Sequence, residues 1–207
     1  MLNAPCGSDG YRYDVVDILR QILSNYGQKL YFEVSEAFKN RDAALFKEKN
    51  RKFLELLDDI DMLLSLRSEF SLKNWIETSE SLGDNPEEAD YMEYCAGLLI
   101  TLWGYEENPH IFDYAWREWS GLIKGYYKKR WEIFFTYLEK CPENGSEYNE
   151  DVLPQVYGRE TFRANECYET MADFETEWLH TKKSFEEYDL DFDSTIHQLF
   201  NKYYDLI

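Results

Sequence analysis

Apolar residues recur along this chain at intervals of three and four, the spacing that places them on one face of an α-helix. The first helix is predicted from about Asp14 to Phe38. A second is predicted to follow Asp42, whose carboxylate suits the N-cap position. Ser71 is predicted to cap a short third helix that carries Trp75 and ends near Gly83. No convincing alternation with a period of two, the pattern of a strand, is present.

The segment Asn85-Pro86-Glu87-Glu88 has the features of a helix start. Asparagine can cap, proline fits the first turn, and the glutamates complement the positive end of the helix dipole. The helix that follows is predicted to be the central helix of the bundle, because its apolar residues occupy two neighbouring faces. These are Tyr91, Cys95, Leu98 and Leu102 on one face and Met92, Ala96, Leu99 and Trp103 on the other.

The most regular helical pattern runs from Phe112 to Leu138 and predicts a fifth helix. Its apolar positions are Phe112, Trp116, Trp119, Ile123, Tyr127, Trp131, Phe134 and Leu138. Gly121 and Gly125 lie inside this pattern. Glycine costs about 1 kcal/mol relative to alanine in a helix interior, so the two glycines predict a close helix approach or a bend.

The remainder of the chain completes a helical pattern. The stretch from Glu143 to Gly158 is interpreted as a loop, and a sixth helix is predicted around Thr161 to Thr181. A seventh is predicted after a cap at Asp193 and Ser194. The predicted fold class is therefore all-α, an irregular bundle of six or seven helices.

The net charge of the chain limits the classes of partner that it is expected to bind. Against 41 acidic residues the chain has 22 basic ones, a formal net charge of −19. A surface this acidic disfavours sequence-independent binding to nucleic acid or anionic lipid. The longest apolar run, Cys95 to Trp103, is much shorter than the roughly 20 residues that span a bilayer. Nucleic acid and membrane are therefore not expected as partners.

The cysteines and the N-terminus bear on metal binding and export. Cys6, Cys95, Cys141 and Cys167 lack the spacing of a zinc site, and no metal or cofactor is expected. Cys95 is predicted to be a buried free thiol, and pairing among the others stays open. The first residues lack the basic start and long apolar stretch of a signal peptide, so an export signal would have to lie outside this sequence.

Two stretches carry more than a generic helical pattern. Residues 11–21 read YRYDVVDILRQ, and residues 99–131 contain LITLWG, DYA, WSGL, YY and RW in that order. Both resemble hallmark segments of the C-terminal domain of the α-N-acetylglucosaminidases, a family of glycoside hydrolases. The resemblance covers about residues 10 to 140 in register. Beyond Cys141 only the helical character and the closing Tyr203 and Tyr204 match.

The resemblance implies a larger enzyme in which a small N-terminal domain and a TIM-like barrel precede one helical domain, residues 1–207 here. Such enzymes remove terminal α-linked N-acetylglucosamine from glycans with retention, using two carboxylates. In the family these are glutamates of the barrel, and no position of this chain matches them, so no catalytic residue is expected here. The implied partners are the barrel and the glycan. The parent enzyme is expected to be secreted, periplasmic or lysosomal.

Five residues are candidates to line the substrate cleft: Trp103, Tyr105, Asn108, Asp113 and Tyr114. A neighbouring domain contributes to the active face of a barrel by presenting a loop to it. Aromatic rings pack on the CH faces of sugars, and Asp, Asn and Tyr bond to their hydroxyls. The alternative is that Trp103 and Tyr114 only pack the loop onto the bundle, with Asp113 as a helix N-cap.

Arg12 and Asp14 are candidates for contact between this domain and the barrel. A structural role is the favoured interpretation for the charges at this end of the first helix, where Arg20 can pair with Asp17 for a few tenths of a kcal/mol. Adjacent acidic pairs such as Asp58 and Asp59 are expected by chance in so acidic a chain and do not indicate a catalytic dyad.

Two functions follow from these patterns. The first is an accessory domain that packs on a catalytic barrel and lines its cleft. The second is a stand-alone helical interaction module without enzymatic activity, which predicts a polar surface with no large exposed apolar patch. An exposed aromatic patch on the first or fifth helix would favour the accessory domain. Weak sugar binding at the loop after Trp103 is compatible with either.

Overall fold

The computed structural model describes residues 7–104, 112–141 and 166–206. Seven α-helices lie in these ranges, together with one isolated bridge between Ser71 and Ser120, and the all-α prediction is confirmed. The helices are α1 (Asp9–Lys39), α2 (Ala43–Ser65), α3 (Leu72–Glu80), α4 (Pro86–Ile100), α5 (Lys128–Lys140), α6 (Glu166–His180) and α7 (Phe192–Tyr203). A 3₁₀ turn (Ser68–Phe70) precedes α3, and a π-helical turn (Ile123–Tyr127) leads into α5.

Three of the helix starts lie where the sequence predicts them. The side chains of Asp42, Ser71 and Asn85 accept hydrogen bonds from backbone N–H groups three residues further on. Each thus satisfies one of the N–H groups that have no partner inside the helix. The start of α1 was predicted too late, because Ser8 caps it. The cap of α7 was also misplaced, because Asp191 accepts from the Ser194 N–H.

Two neighbouring apolar cores hold the helices together. In the first, α1 and α2 pack along each other and are covered by α5 and α7. The second lies among α3, α4 and the π-helical turn, and Phe174 and Trp178 of α6 pack against it. Tyr127 packs against both cores and links them.

The prediction that α4 is the central helix is wrong. The helix packs on α3 and α6, while the middle of the larger core belongs to α1 and α2. Tyr91 and Leu99, one from each predicted apolar face, are exposed. Cys95 is a free thiol that is only half-buried, against the prediction of full burial. Apolar periodicity indicates which faces of a helix can be covered, but it does not locate the helix in the bundle.

The fifth helix is shorter than its apolar pattern. Residues 112–121 form turns and irregular backbone, with Ser120 in the isolated bridge, and the helical stretch begins at Leu122. Gly121 has φ +85°, a conformation that breaks a right-handed helix, so this glycine marks a break and not a bend. Gly125 lies in the π-helical turn, where an added Cβ would lie 4.0 Å from Nε1 of Trp178, which fits the predicted close approach of another helix.

Some predictions fall outside the described ranges. The predicted loop from Glu143 to Gly158 and the first residues of the predicted sixth helix are among them, whereas Glu166–His180 agrees with that helix. Within the described residues, no helix has the length and apolar character needed to cross a bilayer.

Candidate functional site

The candidate cleft residues that the structure describes come together where α4 ends. Trp103 follows α4 with a left-handed backbone, φ 47°, and its N–H donates to the Leu98 carbonyl at 2.9 Å. Asp113 is also left-handed, φ 56°, and its N–H donates to the Thr101 carbonyl at 2.7 Å. The rings of Trp103 and Tyr114 lie 5.1 Å apart. Tyr105 and Asn108 lie outside the described residues.

Asp113 does not cap a helix, so that part of the alternative interpretation is wrong. Its Oδ2 accepts a hydrogen bond from Nη1 of Arg130 at 2.7 Å. The other side of the guanidinium faces α6, with Nε 3.2 Å from Oε1 of Glu175. The pattern of the sequence does not predict this cluster of Asp113, Arg130 and Glu175, because its members come from three separate segments.

Two tyrosines of the π-helical turn flank Arg130. The guanidinium carbon lies 5.4 Å from the ring centroid of Tyr126 and 6.0 Å from that of Tyr127, which is cation–π distance. Burial raises the pKa of both tyrosines, and nearby carboxylates add to the shift. Burial alone would lower the pKa of Arg130, but its surroundings hold it above the ordinary value. At neutral pH the two tyrosines therefore keep their phenolic protons, and Arg130 keeps its charge.

An open cleft of about 570 Å³ adjoins this cluster. Its walls come from α1, α2, α5, α6, the π-helical turn and the segment before that turn. The residues that line it are Tyr31, Leu57, Asp113, Trp116, Glu118, Ile123, Tyr127, Arg130, Trp131, Phe134 and Met171. A cleft with mostly apolar walls and a few polar groups has the composition of many binding sites. We refer to it below as the aromatic cleft.

The segment that carries Trp116 is attached to α1 by charged groups. Glu118 accepts hydrogen bonds from Arg20 and from Ser24, the latter at 3.2 Å. Arg20 also binds Asp17 at 2.9 Å, as predicted. The contact with Glu118 was missed, because the two residues are 98 positions apart and share no pattern.

Several large rings near the aromatic cleft are exposed. The exposed fraction is 41% for Tyr31, 58% for Phe32, 67% for Tyr114 and 53% for Trp116. We call these four residues the aromatic patch. Tyr31 and Phe32 are on the first helix, and Trp116 lies in the predicted span of the fifth. Exposed aromatic residues at these two places favour a domain that packs on another domain.

The candidates for contact with the barrel are at the start of α1. Arg12 is exposed, and its guanidinium carbon lies 5.0 Å from the ring centroid of Phe192 at the start of α7. Asp14 is exposed as well. The contact of Arg12 inside the domain agrees with a structural role, and a role of either residue between domains stays a prediction.

One carboxylate cluster among the described residues has the spacing of a metal site. Oxygen atoms of Glu80, Asp90 and Glu93 lie within 4.8 Å of one another. The ammonium group of Lys182 already binds the cluster, at 3.1 Å from Asp90 and 2.8 Å from Glu93, with a third contact to Glu80. The cluster therefore joins the end of α6 to α3 and α4 by ion pairing.

Comparison with known proteins matches the chain to one family. The family model for the alpha-N-acetylglucosaminidase C-terminal domain matches residues 2–202. Human alpha-N-acetylglucosaminidase is 33% identical over 132 residues, which are 63% of this chain and 18% of the human protein.

Two solved structures have the same fold. A family 89 glycoside hydrolase from Clostridium perfringens, in complex with PUGNAc, is 28% identical with a TM-score of 0.73, covering 95% of this chain and 21% of that one. A structure of a double variant from the same organism, in complex with its substrate GlcNAc-alpha-1,4-galactose, is 27% identical with a TM-score of 0.74, covering 97% and 22%. The chain thus spans about a fifth of the length of these relatives.

Proposed function

The chain belongs to the family of α-N-acetylglucosaminidase C-terminal domains, and we propose that it acts as one helical accessory domain of a larger glycoside hydrolase. In this proposal the domain packs on a catalytic barrel and lines one wall of the cleft for terminal α-linked N-acetylglucosamine. Both catalytic carboxylates belong to the barrel, about 5–5.5 Å apart as a retaining mechanism requires.

The observation that carries the proposal is the paired rings of Trp103 and Tyr114 beside the anchored carboxylate of Asp113. Tyr114 is among the most exposed large side chains of the described residues. In the proposed role the rings pack on the CH face of a sugar, and the polar groups beside them bond to its hydroxyls. A relative in the same fold was solved with GlcNAc-alpha-1,4-galactose, which supports a neutral glycan as the ligand class.

The aromatic patch supports the second half of the proposal, packing on a barrel. Large exposed rings at and beside the aromatic cleft favour contact with a partner, since exposed apolar patches mark interaction surfaces. Contact with a barrel would bury these rings away from water. The stand-alone module predicts a polar surface, so the patch disfavours it. The secreted, periplasmic or lysosomal compartment of the parent enzyme stays a prediction.

The proposal is tested by hydrolysis of a chromogenic α-N-acetylglucosaminide. The samples are this chain alone, the clostridial relative truncated before its helical domain, and the two mixed. We expect activity above that of the truncated enzyme only in the mixture. Turnover by the chain alone would contradict the assignment of catalysis to the barrel.

The positive control is the relative's own helical domain added back to its barrel. If that domain restores activity and this chain does not bind at micromolar concentration, the accessory role is wrong. Trp103→Ala should abolish the gain in activity, whereas Tyr91→Ala, which removes an exposed ring from α4, should keep it.

A further inference from the structure

The backbone that presents Trp103 and Tyr114 is in a conformation that needs support. Trp103 and Asp113 both have positive φ, and neither is glycine. The left-handed conformation costs roughly 1–2 kcal/mol for a residue with a Cβ, so such residues persist where surrounding contacts determine them. Since Asp113 directly precedes Tyr114, whatever holds Asp113 also sets the direction of that ring.

The contacts at Asp113 come from two directions. Its backbone N–H bonds to Thr101, whose hydroxyl donates in turn to the Gly97 carbonyl of α4 at 2.8 Å. Its carboxylate bonds to Arg130 of α5. The first contact joins Asp113 to the residues that follow α4, and the second attaches Asp113 to α5.

Arg130 is itself well held. Glu175 on α6 is buried and lies against its Nε, and the rings of Tyr126 and Tyr127 lie beside the guanidinium. A guanidinium presents several donors fixed in one plane, so it holds its partners in set directions, which the ammonium of lysine on its flexible stem does less well. Arg130 thus links the packed helices α5 and α6 to a strained segment outside them.

We propose that Arg130 is a positioning residue: acting through Asp113, it holds the Trp103 and Tyr114 rings in the orientation that receives the sugar. The proposal rests on the proposed function for the ligand, but the mechanical link does not depend on it. Glu175 supports the same role by fixing the far side of the guanidinium. Arg130 does not have to touch the sugar.

A matched control lies on the same helix. Lys128 binds Asp58 of α2 at 2.6 Å, so Lys128→Met also removes an ion pair that attaches α5 to its neighbours. This pair has no contact with Asp113. A loss of stability common to both variants reports packing of α5, and an effect confined to Arg130 variants reports positioning.

The first measurement uses the chain itself, labelled with 5-fluorotryptophan and observed by fluorine NMR. Trp103 is assigned by the Trp103→Phe variant. We expect Arg130→Lys and Asp113→Asn to move or broaden the Trp103 resonance while that of Trp75 stays. Lys128→Met should leave the Trp103 resonance in place. Arg130→Met is the stronger change, and the other two variants serve if it does not fold.

The second measurement is kinetic and uses the mixture with the truncated relative. We expect Arg130→Met to raise KM about tenfold with a smaller change in kcat, because a misplaced platform weakens binding throughout the reaction. Arg130→Lys should recover part of the loss, and Lys128→Met should match the unmodified chain.

The two measurements separate the possible failures. A Trp103 resonance that is unchanged in folded Arg130 variants overturns the positioning role, whatever the activity. A resonance that moves while KM stays constant also overturns it, since the ring orientation would then not matter to the sugar. If the unmodified chain gives no activity in the mixture, the proposed function fails, and the NMR result still decides whether Arg130 holds Trp103.

Discussion

The start of the fifth helical stretch depends on one buried carboxylate of α2. Asp61 Oδ1 accepts hydrogen bonds from the backbone N–H groups of Gly121 at 2.8 Å and Lys124 at 3.0 Å. Its Oδ2 accepts from the Ser120 hydroxyl at 3.2 Å and from the Tyr188 hydroxyl at 3.4 Å. Asp61 therefore acts as the cap of the helical stretch that begins at Leu122, although it lies on another helix. The perturbation is to replace it with alanine or asparagine.

The contacts give the size of the effect. Asp61→Ala leaves two N–H groups and two hydroxyls, those of Ser120 and Tyr188, without this acceptor, at about 1–3 kcal/mol for each group that water cannot reach. The cleft beside Asp61 admits water, and the variant also avoids burying a carboxylate. We therefore expect the free energy of unfolding to fall by about 2–4 kcal/mol. Asp61→Asn keeps an amide oxygen for both N–H groups and should cost about 1 kcal/mol.

The free energy of unfolding should also depend on pH, because Asp61 can ionise. Burial raises the pKa of Asp61 above its ordinary value, although its hydrogen bonds act in the opposite direction. The folded protein therefore binds this proton more tightly than the unfolded chain does. The stabilisation that comes from binding this proton is complete at pH values below the pKa of Asp61 in the unfolded chain. It is lost as pH rises through the pKa of Asp61 in the folded protein. Asp61→Asn cannot ionise, so the stability of the unmodified chain relative to this variant should fall over that range.

The assay is urea unfolding followed by circular dichroism, over a series of pH values from about 3.5 upward. The reasoning is refuted if alanine costs less than asparagine, because the acceptor role would then have no energetic weight. A difference between wild type and Asp61→Asn that grows with pH would refute the direction of the pKa shift.

Three further predictions follow from the described residues. Gly121→Ala should lower the free energy of unfolding by about 1–2 kcal/mol in the same assay. The cost comes from the backbone, whose φ is +85°, and not from crowding, because an added Cβ meets only ordinary contacts. An unchanged free energy of unfolding would argue against the left-handed backbone. Burial raises the pKa of Cys167 to about 11, so a thiol reagent near neutral pH should modify half-buried Cys95 before it modifies Cys167, as mass spectrometry of digests would show. Trp116→Ser should weaken binding to the truncated relative about tenfold or more in calorimetry while leaving the unfolding midpoint of the chain nearly unchanged. Equal affinity would remove the aromatic patch from the proposed interface.

Local chemistry explains which elements were predicted well. A cap acts over three residues and apolar periodicity over one or two turns, so Asp42, Ser71 and Asn85 marked their helices without knowledge of the rest of the chain. The ordered segments from LITLWG to RW indicated the family in the same way. The candidate ring of Trp103 and its neighbour Tyr114 also came from this stretch, and the structure brings the two together.

Long-range contacts explain the failures. The aromatic spacing from Phe112 onward fits a helix, yet residues 112–121 are not helical, because Gly121 adopts positive φ and Asp61 from another helix caps the new start. A non-helical segment can bury aromatic residues as well as a helix can when the surface beneath it fits. Nothing within the segment itself gives that surface.

By itself, therefore, the sequence determined the helical class of this protein, the starts of its well-capped helices and its family. Only the tertiary structure decided that α4 lies at the side, that the aromatic patch is exposed, and that Arg130 joins Asp113 to Glu175. The physical reason is the distance along the chain over which each interaction acts. Capping and periodicity act between residues a few positions apart, whereas burial and ion pairing between helices depend on how the whole chain packs.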